Sequence, residues 1–176
     1  MFVGIDPSIN STGICIIKNE KTTFYNIKPR LTKKEIEIIL PYNFFFVTYD
    51  KTESREEIHK TTNFINIADR IEEIVATQDD EPHIVIEGIA YGSSSSSVCD
   101  LAGLNHIIRE RLIKYDIEVV PPAQIKKFAT GKGNANKDMM IDRFEEDYGN
   151  GLDTLVKIDD LADAYWMAKY AKVMHD

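Results

Sequence analysis

The sequence predicts an α/β domain: a mixed β-sheet flanked by helices on both faces. Three observations predict it. The chain opens with three strand-length apolar stretches joined by turn signals, which reads as a meander. Later apolar strands alternate with segments of helical period. One of those strands, His83–Glu87, carries an unbroken Ile-Val-Ile run, the pattern of a strand covered on both sides at the centre of a sheet.

Phe2–Ile5 is the first strand and runs into Asp6. A turn-rich segment, Pro7 to Gly13, leads to Ile14–Ile17 as the second strand, and the polar Lys18-Asn19-Glu20-Lys21 turns the chain into a third, Thr22–Ile27. Within 28–55, Lys33–Leu40 reads as helix and the aromatic run Asn43–Tyr49 as strand. From Glu56 to Thr77, Ile58, Ile65, Ala68, Ile71, Ile74 and Val75 recur at helical spacing. Pro82 breaks the chain before His83–Glu87, and a serine-rich loop, Gly88 to Ser97, follows. Asp100 is an expected N-cap for a helix to about Tyr115 with Leu101, Leu104, Ile107, Ile108 and Leu112 inward. Ile117–Val120 is a strand stopped by Pro121-Pro122. Gln124–Phe128 is helical and precedes the Gly131-Lys132-Gly133-Asn134 loop. Asn136 caps a helix to Tyr148, and Ile158–Met174 forms the last helix.

A length of 176 residues suits one domain, 1–176, with one sizeable core, and 43% hydrophobic with 28% charged residues is ordinary for a globular chain. No apolar run approaches the roughly 20 residues of a membrane helix. The start Met1-Phe2-Val3-Gly4-Ile5-Asp6 lacks the basic region of a signal peptide, so the expected location is the cytoplasm, or the host cytoplasm for a viral or phage protein. Cys15 and Cys99 have no metal-ligand spacing, and Cys15 reads as a small buried hydrophobe. His59, His83, His106 and His175 likewise show no ligand spacing and read as structural. A net charge of −8 argues against a nucleic-acid partner, but screening over about 8 Å makes local patches matter more than the sum.

The acids carry the chemistry. Asp6 ends the first strand and Glu87 the central one, which directs both to the carboxyl edge of the sheet. Asp160 and Asp163, spaced i, i+3, share a face of the last helix, and the small and apolar residues around them (Leu161-Ala162, Ala164, Trp166-Met167-Ala168) let that helix pack closely on the sheet. Asp159 reads as an ordinary partner of the helix dipole. Two unit charges 4 Å apart repel by about 1 kcal/mol in water and about 4 kcal/mol at an effective dielectric of 20, so four clustered carboxylates must take up protons or cations. Oxygen ligands alone suit Mg²⁺ or Mn²⁺, and two such ions about 4 Å apart serve phosphodiester hydrolysis.

In order along the chain stand Gly4-Ile5-Asp6-Pro7-Ser8 with Thr12-Gly13, Val85-Ile86-Glu87, Leu101-Ala102-Gly103-Leu104, Val120-Pro121-Pro122 with Ile125-Lys126-Lys127, Gly131-Lys132-Gly133-Asn134-Ala135-Asn136-Lys137, and Asp160-Leu161-Ala162-Asp163-Ala164. This ordered set resembles the RuvC-type Holliday-junction resolvases, the viral and phage members most. The resemblance implies an RNase H-like fold, a homodimer and two symmetric cuts across a four-way DNA junction. It implies that Asp6, Glu87, Asp160 and Asp163 bind Mg²⁺, with Mn²⁺ as a substitute and two ions per site, and that Lys137 contacts the phosphate near the cut. Family members place an aromatic wedge shortly after the strand-ending Glu; here the third residue after Glu87 is Ala90, and the aromatic is Tyr91.

Pro121 to Lys137 contains Lys126, Lys127, Lys132 and Lys137 and no acid, a basic patch for DNA, with Gly131 and Gly133 letting backbone amides approach phosphate. Lys28, Arg30, Lys33 and Lys34 read as a second, exposed cluster. A sugar-kinase or actin-like ATPase shares the core, but one domain is too short for its clamp and no second phosphate motif follows, so no nucleotide cofactor is expected. A nuclease of the same fold acting on flaps, forks or RNA–DNA hybrids, and a non-catalytic branched-DNA module, are the alternatives.

Overall fold

The computed structural model describes residues 1–37, 43–53, 56–78, 80–89, 96–149 and 158–176. Six strands form one sheet: β1 (Phe2–Asp6), β2 (Thr12–Lys18), β3 (Lys21–Lys28), β4 (Phe44–Thr48), β5 (His83–Glu87) and β6 (Asp116–Val120). Their order across the sheet is β4-β3-β2-β1-β5-β6. The meander β1-β2-β3 is antiparallel, and β4, β5 and β6 each join in parallel. The expected mixed sheet is present, with β2 and β1 at its centre; β5 is an interior strand between β1 and the edge strand β6.

Alternation along the strands divides the core in two. Cys15, Ile17, Phe24, Val85 and Val120 face α4 (Pro122–Thr130), α5 (Lys137–Tyr148) and α6 (Ile158–His175). Val3, Ile5, Ile14, Ile84 and Ile86 face α2 (Glu57–Ala76) and α3 (Ser96–Arg111). Complete burial of one such Ile contributes about 1.5–3 kcal/mol. The unbroken Ile-Val-Ile run of β5 is thereby explained, since each of its faces meets a helical layer.

Helix α6 packs closely on the sheet because small residues line its contact. An ideal Cβ on Gly4 would stand 2.0 Å from the Ala164 carbonyl oxygen and 2.4 Å from the Ala168 nitrogen, so only glycine permits this approach. Trp166, Tyr165 and Tyr170 fill the wider space beside α4 and α5, with Phe144 stacked on Tyr148.

Several expectations require correction. The stripe of α2 runs through Phe64, Ile67, Ala68, Ile71, Ile74 and Val75, while Ile58 is exposed. Helix α3 begins at Ser96, so Asp100 lies within it and pairs with Lys60 at 3.3 Å instead of capping. Helix α4 extends over Pro122–Thr130, with proline in the first turn, where its missing N–H costs nothing. The helix expected over Lys33–Leu40 is seen as α1 (Lys33–Glu37), and 38–40 lie outside the described residues. Lys28 is not surface charge. It is buried against Glu35, which also accepts from the Thr32 N–H at 2.8 Å in a capping box. Asn136 caps α5 as expected, accepting from the Met139 N–H at 2.9 Å.

Candidate active site

Register and helix packing assemble the acids. Ile5 pairs with Ile86 in the parallel β1–β5 ladder, so Asp6 and Glu87 are the next residues along neighbouring strands, about 4.8 Å apart in backbone. Both follow by two a residue that faces α6, Gly4 and Val85, and so project to that face. On the other side of β1, Asp6 pairs with Gly13. A Cβ on Gly13 would lie 2.2 Å from the Asp160 carbonyl oxygen, so the first turn of α6 rests on β2 directly beside Asp6. One turn further, Asp163 shares that face.

The loop after Asp6 is fixed locally: the Thr12 hydroxyl donates to the Ser8 carbonyl at 2.6 Å and accepts from the Ser8 N–H at 3.1 Å. The end of β5 is held by Asn105, buried in α3, whose side chain donates to the Glu87 carbonyl at 2.8 Å, while the Gly88 N–H donates to the Val120 carbonyl at 2.8 Å.

The acids lie close enough to perturb one another. Burial, then the charges of Glu87, Asp163, Asp160 and Asp159, raises the Asp6 carboxyl well above the usual carboxylate range, although Asp6 retains some surface on the crevice. Burial, then Asp163, pushes Glu87 up to about 7; burial foremost pushes Asp163 up to about 6, with Lys126 opposing both shifts. Glu87, Asp159 and Asp163 line a cavity of about 250 Å³ with Pro122, Lys126, Lys137, Met140 and Ile141. The donors are carboxylates only, a set that fits a hard divalent cation. Among the described residues, the three-membered group whose ligand atoms lie within 4.8 Å of one another is elsewhere, at His83, Asp116 and His175.

The basic residues divide. Lys126 is half-buried and faces the acids, a role that its place in a lysine-rich segment did not reveal. Lys137, at the first position of α5, donates to Asp159 at 2.5 Å. Asp159 is therefore a member of the crevice rather than a plain dipole partner; its adjacency to Asp160 was the available signal. Lys127 and Lys132 are exposed on α4 and in the loop after it. Gly131 ends α4 in the left-handed region at φ 79°, and Gly133 packs on the Ala123 carbonyl, so both glycines have a local structural reason. Tyr91 lies outside the described residues, as do Ala90 and Ser93–Ser95.

Beside the acid cavity is a larger groove of about 590 Å³, sharing Pro122 and Lys126 with it and bordered by Ile89, Arg109, Val119 and Ala123. No helix among the described residues is long and apolar enough to cross a membrane.

No protein-family model matches the sequence, and no curated protein matches it. Solved structures do. RuvC from T. thermophilus in complex with a Holliday junction substrate superposes with a TM-score of 0.65 at 17% identity, over 99% of this chain and 97% of that one. A second Thermus thermophilus RuvC structure gives 0.60 at 17% identity, over 98% and 95%. The chain thus has the RNase H-like fold of RuvC from end to end.

Proposed function

We propose that residues 1–176 form a single nuclease domain that resolves four-way DNA junctions by metal-dependent phosphodiester hydrolysis. The observation that carries the reading is the convergence of Asp6, Glu87, Asp160 and Asp163 on one crevice, within a fold matched along its whole length by a junction-bound RuvC. Asp6, Glu87, Asp160 and Asp163 would hold Mg²⁺ or Mn²⁺, two ions per site. When bound, the ions supply an activated water and charge stabilisation at the leaving oxygen. The chain's own contribution is placement. Asn105 fixes the strand end that presents Glu87, and Lys126 offsets the negative charge of the crevice. Lys137, held by Asp159, stands at the rim where a phosphate would arrive. Lys127 and Lys132 extend positive charge away from the cut, along the strand's backbone.

A four-way junction offers two equivalent strands, and one chain has one acid crevice. A two-fold dimer supplies both cuts in register. The proposed setting is the cytoplasm, or a host's cytoplasm for a viral or phage protein.

Labelled four-way junction, flap, replication fork, linear duplex and RNA–DNA hybrid are incubated with the protein and Mg²⁺ or Mn²⁺, beside Asp6→Asn, and light scattering gives the molar mass. Paired nicks at symmetric positions of the junction, absent in the variant, are expected. Cleavage confined to flaps, forks or hybrids would transfer the activity to those substrates. Binding without cleavage under either ion would reduce the protein to a branched-DNA-binding module.

A further inference from the structure

The strand and the helix that present catalytic acids at one end carry a different set of ligands at the other. His83 opens β5 and Asp116 opens β6, and the two are register partners. His175 comes down on them from the last turn of α6. The His83 Nδ1 lies 2.8 Å from Asp116 Oδ2, and the His83 and His175 rings stack with centroids 4.6 Å apart and planes at 16°. Phe2 stacks on His83 at 5.9 Å, limiting the ring's rotation. Glu118, two residues along β6 and therefore on the same face, brings Oε2 to 3.8 Å from His175 Nε2. The Tyr170 hydroxyl donates to the other Glu118 oxygen at 3.4 Å.

We propose that His83, Asp116 and His175 form a second metal site, which takes a borderline transition-metal ion such as Zn²⁺. Their ligand atoms already lie within 4.8 Å of one another. A tetrahedral ion with ligands at about 2.0–2.1 Å needs them about 3.4 Å apart, a gap that side-chain rotation closes at these half-exposed and exposed positions. Two imidazoles and a carboxylate are the donor mixture that Zn²⁺ favours and Mg²⁺ does not, in contrast to the all-carboxylate crevice. Glu118 supplies either a fourth ligand or an anchor for His175, and the open side admits water. The site lies about 13 Å along β5 from Glu87, too far to share an ion with the acids. Its effect is mechanical: an ion there ties the end of α6 to the starts of β5 and β6.

The full chain, stripped of metal, is titrated calorimetrically with Zn²⁺ in the presence of millimolar Mg²⁺, and its melting temperature is followed. One Zn²⁺ should bind and raise the melting temperature. His83→Ala and His175→Ala should each weaken binding at least tenfold, and Asp163→Asn, which alters the acid crevice, should leave it unchanged. Co²⁺ in place of Zn²⁺ should give the visible absorption of a low-coordinate site, lost in the histidine variants. Failure to bind Zn²⁺, binding that survives both histidine variants, or binding lost in Asp163→Asn would overturn the proposal. None of these outcomes depends on whether the crevice cuts DNA.

Discussion

Gly13 on β2 and Asp160 on α6 meet backbone to backbone, with the position of a Gly13 Cβ only 2.2 Å from the Asp160 carbonyl oxygen. The separation of α6 from the sheet is set there and at Gly4. Gly13→Ala should lift the first turn of α6, lower stability by about 1–3 kcal/mol as overpacking does, and reduce cleavage at least tenfold. Gly103→Ala, whose Cβ would meet the Phe64 ring at 3.3 Å, is the milder comparison. Thermal melts and cleavage rates check both; equal effects of the two substitutions would remove the special place of Gly13.

Asp6→Asn takes one charge out of a group of mutually repelling acids. At neutral pH the metal-free variant should melt higher than the parent, because Asn carries neither the repelling charge nor the cost of taking up the proton that relieves it. Its melting temperature should respond less to Mg²⁺, and cleavage should fall at least about a hundredfold. A metal-free melting temperature below the parent's would show that Asp6 is held by attractive contacts instead.

Stability without metal should depend on pH in the sense opposite to that of salt-bridged acids. Glu87 at about 7 and Asp163 at about 6 lie above their ordinary values of 4.5 and 3.8, so the folded chain retains protons that the unfolded chain has released. The stabilisation from these groups is complete below the ordinary values and is lost as pH rises through 6 and 7. The melting temperature of metal-free protein should therefore fall from about pH 5 to about pH 8, and saturating Mg²⁺ should flatten the decline. Calorimetric scans across that interval provide the check, and a rise would contradict the assignment.

Lys126 and its neighbour on α4 should separate cleanly. Lys126 opposes the upward shifts of Glu87 and Asp163, so Lys126→Met should move the acid limb of the cleavage profile to higher pH. Lys127→Ala and Lys132→Ala, both at exposed positions, should leave that limb in place and each reduce the salt slope of DNA binding by about 0.9. A pH profile unmoved in Lys126→Met would confine that lysine to backbone contact.

The sheet was legible because its strands are written in alternation and its breaks in Pro and Gly, and Asp6 and Glu87 stood out as acids closing apolar strands. Asp160 and Asp163 could be placed inward from the small residues around them. Other features could not be read along the chain. The burial of Lys28 depends on Glu35 arriving from α1, and the exposure of Ile58 on where the first turn of α2 projects. The engagement of Asp159 depends on α5 bringing Lys137 beside α6. His83, Asp116 and His175 are distant in sequence and are joined only by the β5–β6 register and the length of α6.

Asp6 belongs to β1 and Asp160 and Asp163 to α6, so the crevice joins residues that are far apart in sequence. During synthesis the meander and the β5 acid emerge well before the opposing pair on α6. Closing so long a loop adds an entropic cost that grows only logarithmically with its length, and it makes the acid crevice among the last parts of the fold to assemble. A nascent or truncated chain that lacks α6 would hold at most half of the acids, and the crevice could not form.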